Sequence, residues 1–310
     1  MRIRILALLA FFLPAALWSQ PDDEGGCDRA CFEELMDAYL VAMRDQDADN
    51  AMFDPTLRFT ENGIQLPFGS EGLWFGMSGI GGYKFYVPDI EARQIAFLGT
   101  VLEYGDGPDD GDLVAVAIRL KLNDAGKISE IEQLAVRPSS TNSSRNDFPP
   151  TGEAVEAMGS PHPVFLETIP EDERMSREEL IIAGDYYFEG LQRNDGQGYY
   201  PFTDDCERYE NGNFSTGDCK KNFEEEVRGI VDRIRDRRFV AVDRERGIAF
   251  AFGFFDHHRI NWTWQLAELF KVEKGQIRRV EAIFHRAPFG INSGWSTYEQ
   301  GMSEEIQFIR

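Results

Sequence analysis

The chain has little histidine, little cysteine and too few positive charges to balance its negative ones. Its 310 residues hold four histidines, four cysteines and 32 Lys or Arg against 54 Asp or Glu, for a net charge of −22 at pH 7. A chain of that sign repels phosphate backbones and anionic lipid, so nucleic acid and the membrane surface are excluded as partners. No Cys-x-x-Cys or His pair accompanies the cysteines, and no metal is expected. Gly-rich phosphate loops, Ser/His/Asp motifs and Cys-nucleophile patterns are also missing, so no cofactor is expected. Long apolar runs are absent except at the start. There Arg2 and Arg4 precede the apolar stretch 5–13, which Pro14 breaks. That run is too short to cross a bilayer and predicts a secretory signal peptide over 1–19, with a retained anchor as the other reading. The expected location is secreted or periplasmic, with no membrane contact after cleavage.

What is present is a repeat. Phe53-Asp-Pro-Thr-Leu-Arg-Phe-Thr-Glu-Asn-Gly63 is echoed by Phe202-Thr-Asp-Asp-Cys-Glu-Arg-Tyr-Glu-Asn-Gly212, 149 residues later and without a gap. Upstream, Asp37–Asp47 matches Asp185–Asp195 at an offset of 148, and downstream Gly126–Glu132 matches Gly275–Glu281 at 149. Three blocks in one order make a tandem duplication. The expected units are 28–137 and 174–290, joined by a linker over 138–173 and followed by a tail over 291–310. A homo-oligomer stays open.

Each unit reads as a helix, an Asn-Gly-terminated strand, a connection and a meander of strands. Phe32, Leu35, Met36, Tyr39 and Met43 carry a helical period in the first. Ser176-Arg-Glu-Glu179 is a capping box opening the matching helix in the second. A glycine-rich irregular connection surrounds Trp74, and its counterpart reads as an amphipathic helix over 220–237, from Phe223, Val227, Ile230, Val231 and Ile234. Long strands are expected near 94–104, 113–122 and 127–137, and again near 238–242, 247–255, 261–272 and 276–286. The fold class is α+β, with curved antiparallel sheets wrapped around helices. Four cysteines allow three pairings. Cys206–Cys219 is favoured because it would staple the Gly- and Asn-rich loop between them, while Cys27 and Cys31 stay undecided. Asn142, Asn213 and Asn261 begin sequons, which matter only if the source glycosylates.

The order helix, Arg58-Phe-Thr-Glu-Asn-Gly, Glu71-Gly-Leu-Trp74, Arg119-Leu-Lys and Gly126-Lys-Ile-Ser-Glu-Ile-Glu resembles the nuclear transport factor 2-like superfamily. Its polyketide-cyclase (SnoaL-like) branch is nearest in flavour. The chain is also similar to exported fungal and bacterial proteins that carry two such units. The resemblance covers about 28–137 and 174–290. It implies two tandem cone-shaped antiparallel sheets, each packed on helices and able to enclose a cavity. It also implies one of several chemistries: cofactor-free isomerases, dehydratases, hydrolases and aldol-type lyases, or members that only bind. Fold does not fix function here.

Comparing the halves selects candidate residues, because scaffold needs persist in both and a specific site need not. Trp262, Trp264, Leu266, Glu268 and Phe270 alternate onto one strand face, where the first half has Asp112, Val114, Val116, Ile118 and Leu120 at an offset of 150. A carboxyl among indoles loses solvation and becomes a weaker acid, suited to proton donation. Glu268 and Glu281 are therefore the candidate proton-transfer groups, with His257 or His285 as partner base. Arg208 and Asn211 would hold a substrate oxygen, over a floor of Trp262 and Trp264. Glu281 recurs as Glu132, and Asn211 as Asn62, so a strand ion pair and a turn former compete as explanations. The expectation is an exported cofactor-free lyase or isomerase acting on a small hydrophobic or aromatic molecule. Alternatives are a binding protein using the same cavity, and a purely structural pair of units. Arg58, Trp74, Arg119 and Glu132 are the fallback site in the first unit.

Overall fold

A computed structural model describes residues 27–107, 110–138 and 150–310. The signal-peptide segment and Asn142 lie outside these residues. Asp28 caps the first helix, accepting from the Cys31 amide at 3.0 Å, and α1 (Arg29–Arg44) buries Phe32, Leu35, Met36, Tyr39 and Met43. Then come β1 (Phe53–Glu61), β2 (Ile64–Gln65), α2 (Leu73–Gly76), β3 (Met77–Asp89), β4 (Gln94–Tyr104), β5 (Gly111–Leu122) and β6 (Ile128–Val136). The short helices α3 (Thr151–Ala157) and α4 (Pro163–Leu166) lead to α5 (Arg177–Leu191), which opens on the capping box of Ser176 and Glu179. The second series is β7 (Phe202–Glu210), β8 (Asn213–Thr216), α6 (Cys219–Lys221), β9 (Arg233–Asp243), β10 (Ile248–His257), β11 (Trp262–Glu273) and β12 (Gln276–Pro288). The tail adds α7 (Tyr298–Met302) and β13 (Ile306–Phe308).

The sheet orders are β2-β1-β6-β5-β4-β3 and β13-β9-β10-β11-β12-β7-β8. Apart from β13 they are the same, so the repeat in sequence is a repeat in topology. The Asn-Gly motif plays one part in both. Asn62 (φ 50°) and Asn211 (φ 51°) turn the chain in the left-handed region, where Asn is tolerated. Their side-chain oxygens accept from the Ala135 and Phe284 amides, each at 2.8 Å. Asn211 is thus a turn former rather than a substrate contact.

The α+β expectation, with antiparallel cones packed on helices, is corrected. The chain is mostly β, with two large sheets that are mixed, since β1–β6, β7–β12 and β9–β13 pair in parallel. Among the described residues only α1 and α5, of 16 and 15 residues, exceed two turns. The helix expected over 220–237 does not form. A π-helical turn, Asn222–Glu226, follows α6, and the chain extends into β9 from Arg233. The apolar period that suggested a helix belongs to two different elements. The irregular stretch around Trp74 likewise becomes α2 and the 13-residue strand β3.

Each sheet covers its long helix with one face and meets the other sheet with its opposite face. The shared layer is built from Tyr83, Phe85, Leu98, Ala115 and Ala117 on one side and Ala241, Phe250, Phe252, Ala267 and Leu269 on the other. Small residues let the two sheets approach closely, and Phe165 of α4 is fully buried in the same layer. Charged groups are tied across it. Arg238 makes a two-pronged contact with Glu132 at 2.6 and 2.8 Å, and the Tyr83 hydroxyl donates to Glu281 at 3.2 Å. The first residue of each long helix reaches the other unit: Arg29 to Asp243 at 2.7 Å and Arg177 to Asp89 at 2.8 Å. Trp295 of the tail lies between the guanidiniums of Arg58 and Arg119, at 4.6 and 4.7 Å, while Tyr298 stays exposed.

Candidate functional site

The helix-covered face of the second sheet is not filled. Beside α5 it leaves a cavity of about 100 Å³ whose wall is largely apolar: Leu191, Val227, Ile230, Val231, Phe255, Trp264, Leu266, Ala282 and Phe284. Strand alternation produces this wall, because Leu266 and Glu268 of β11 and Ala282 and Phe284 of β12 share one face. The roof is the segment after α6. The Cys206–Cys219 disulfide pins it to β7, as expected, and the Cys27–Cys31 bond also forms. Asn194 holds the roof's other end, donating to the Phe223 carbonyl at 2.7 Å and accepting at its own carbonyl from Gly229 at 2.9 Å.

Three charged residues enter this apolar space: Arg208, Glu210 and Glu268. Glu268 is 2% exposed, and its Oε2 has no hydrogen-bond partner among the described residues. Burial, reinforced by the negative charge of Glu210 and opposed by Arg208, pushes its carboxyl up to about 8. It is therefore a neutral acid at pH 7, able to donate a proton. Arg208 donates to Ser215 Oγ at 3.0 Å and to the Tyr187 hydroxyl at 3.4 Å, and its Nε lies 3.4 Å from Glu210 Oε1. Glu210 is half-buried, at the open end. Tyr187 projects from α5 beneath Glu268, and burial raises its phenol well above the usual range.

The structure brings together Glu268, Arg208 and Trp264, with Trp262 and His257 at the rim. Trp264 stacks on Phe284 with ring centres 5.0 Å apart, and His257 sits edge-on to Trp264 at 4.6 Å. Burial depresses the His257 imidazole below its ordinary value, so it is neutral at pH 7. Glu281 and His285 are not brought to the cavity. Glu268 pairs with Ala282, whereas Glu281 pairs with Leu269, which points into the layer between the sheets. There Glu281 accepts from Arg279 at 2.8 Å and from Tyr83. His285 faces Gln265 on that same side, with burial and the nearby Arg137 lowering it to about 4. The cause is a register shift between Lys271 and Val272. A regular hairpin from the Glu273–Gln276 pair would set Glu268 opposite Glu281; one extra residue moves them to opposite faces.

The fallback site in the first unit is closed. Trp74 packs with Tyr39, Phe53 and Phe68, with ring centres 4.5 to 5.8 Å apart. Glu132 is engaged by Arg238 and Arg119, and Arg119 by Glu130 at 2.7 Å. Sequence reasoning left out Glu210 and Tyr187 as site members. Both were readable as repeat positions, matching Glu61 and Tyr39. No group of side chains among the described residues forms a metal-binding cluster.

Comparison with known families gives a match over residues 173–284, the second unit alone, to a model described as Domain of unknown function (DUF8021). Among solved structures, a de novo designed protein with a curved β-sheet is similar at 21% identity, over 35% of this chain and 87% of that one, with a TM-score of 0.27. A likeness that weak carries no argument. No curated protein matches.

Proposed function

We propose that the second unit is a cofactor-free acid–base enzyme, of lyase or isomerase type, for a small hydrophobic or aromatic molecule. The observation that carries this is Glu268: a buried carboxyl with one unpartnered oxygen, held neutral at pH 7 on the wall of an apolar cavity. An unpaired buried polar group costs roughly 1–3 kcal/mol, and among the described residues Glu268 is the one with such an atom that lines this cavity. Glu268 donates the proton, Arg208 holds a substrate oxygen, and the Glu210 carboxylate at the open end receives a proton. Two carboxyls in unlike surroundings are the usual way one site supplies both an acid and a base. The wall of aliphatic and aromatic side chains selects an apolar body.

A second reading, a binding protein without turnover, is favoured by the apolar share of the wall, nine of the twelve lining residues. Glu268→Gln separates the two. The amide keeps the shape and a donor but cannot give up a proton. Against a substrate found by screening small aromatic carbonyl and hydroxyl compounds, turnover should fall ~10²–10⁴-fold with ligand affinity within a few-fold. Unchanged turnover removes the acid–base reading, and turnover in no compound that binds favours the binding protein. Disulfides fit an exported protein, and no helix among the described residues is long and apolar enough to cross a membrane.

A further inference from the structure

The rim of the second cavity differs from its counterpart in one group that has lost its partners. In the first unit Arg137 closes the equivalent opening. It bridges two buried carboxylates, Glu61 at 2.8 Å and Glu103 at 2.7 Å, and Glu61 also accepts from the Leu73 amide at 2.8 Å. The equivalents in the second unit follow from position and register. Arg286 follows Arg137 by 149 residues, and Glu210 follows Glu61 by the same step. Glu103 pairs with Asp112 across β4–β5, as His257 pairs with Trp262 across β10–β11, so His257 stands where Glu103 stood.

The substitution of a neutral imidazole for a carboxylate leaves Arg286 uncompensated. It is exposed, makes no ion pair among the described residues, and rests with its guanidinium 4.2 Å over the ring of Trp262. The indole N–H of Trp262 is buried and has no acceptor among the described residues. Neither lines the cavity, but both lie just beyond it on the same sheet face: Arg286 continues the row of Ala282 and Phe284, and Trp262 the row of Trp264 and Leu266. A guanidinium without a carboxylate partner, held against an indole face, is the arrangement that receives a carboxylate.

We propose that Arg286 and Trp262 form a carboxylate-binding subsite at the mouth of this cavity, so that the ligand is a small monocarboxylate with an apolar body. This rests on reading the cavity as a ligand site. The apolar body lies against Trp264 and Phe284, its acid group stays at the rim on Arg286, and the inner end meets Glu268 and Arg208. In a chain with 22 more negative than positive charges, a free arginine at a cavity mouth is also the local exception that lets an anion approach.

The test uses phenylacetate, phenylacetamide and phenethylamine, which share one ring and differ in charge, with binding read by calorimetry and tryptophan fluorescence. The wild type should prefer phenylacetate over the amide by about 10- to 100-fold, the worth of a charge-assisted contact. Phenethylamine should bind weakest. Arg286→Gln should erase the preference while leaving amide affinity unchanged, and Arg286→Lys should restore part of it. Acid and amide binding alike, a preference that survives Arg286→Gln, or binding of none of the three overturns the proposal. The acid–base reading fails separately. A lost preference with turnover still dependent on Glu268 removes the subsite alone. An intact preference with turnover indifferent to Glu268→Gln removes the chemistry alone.

Discussion

The two units share a strand order and differ in what lies between sheet and helix. In the first, Tyr39 of α1 accepts from Trp74 at 3.2 Å and from Gln133 at 2.6 Å, within a solid layer of Phe53, Phe59, Phe68 and Ile118. In the second, Tyr187 holds the same helix position, but Arg208 replaces Phe59, Glu268 replaces Ile118 and Ala282 replaces Gln133. Three exchanges on one backbone turn a packed core into a hollow with an acid in it. The lesson is about cost. The first unit fills this layer with packed side chains, and the second gives up packing there for a cavity with a buried carboxyl on its wall. Departures of that kind mark function more reliably than residues common to both halves.

The comparison breaks most visibly if the acid is moved across. Ile118→Glu puts a carboxyl into the filled layer, where no Arg208 waits, and should destabilise the protein by about 4 kcal/mol or more near neutral pH. Urea denaturation at pH 7 and pH 4 should show the penalty shrinking at the lower pH, as the buried group protonates. Next in size are the ties between units. Arg238→Ala removes the two-pronged partner of the buried Glu132, leaves it only Arg119 at 3.5 Å, and should cost up to ~3–5 kcal/mol. Tyr83→Phe removes one of two partners of Glu281 and should cost about 1 kcal/mol. Equal losses would mean that the two ties are equivalent, which the geometry denies.

The reverse exchange, Glu268→Ile, should stabilise. The folded carboxyl titrates at about 8, above its ordinary 4.5, so the folded state holds the extra proton between these values. The ionisation penalty is therefore absent at pH 4, grows between pH 4.5 and 8 and levels off above 8. Thermal unfolding should show a gain at pH 4 limited to the ~1–3 kcal/mol of the unpaired group, larger at pH 9 by about 5 kcal/mol, with any turnover lost. A variant no more stable at pH 9 than the wild type would mean that Glu268 costs the fold nothing.

How much of this was legible follows from which forces the sequence displays. The repeat, the face of α1, the capping box at Ser176 and the Cys206–Cys219 bond are local, and neighbouring residues reveal them. Glu268 and Trp264 were legible because the halves differ there. The strand β9 was not. Its Arg235, Asp236, Arg237 and Arg238 are all buried, and such a run reads as a solvated helix face until distant partners appear. Arg235 meets Asp256, Arg237 meets Asp185 and Arg238 meets Glu132, each far along the chain. The site positions of Glu281 and His285 failed for a smaller reason, the single extra residue near Lys271 that no composition announces.

The crossed arginines at the helix starts have a consequence of their own. In an isologous homodimer, residue i of one copy meets j of the other, and j meets i in return. Arg29 on Asp243 and Arg177 on Asp89 do this within one polypeptide, so the chain contains both partners of a pseudo-twofold pair. Its association does not depend on protein concentration, because the connection supplies the partner. In a true homodimer every substitution appears twice, and a change that hollows one subunit hollows the other. Here each half is encoded separately. One could stay solid and bear the load of stability while the other gave up packing for a cavity.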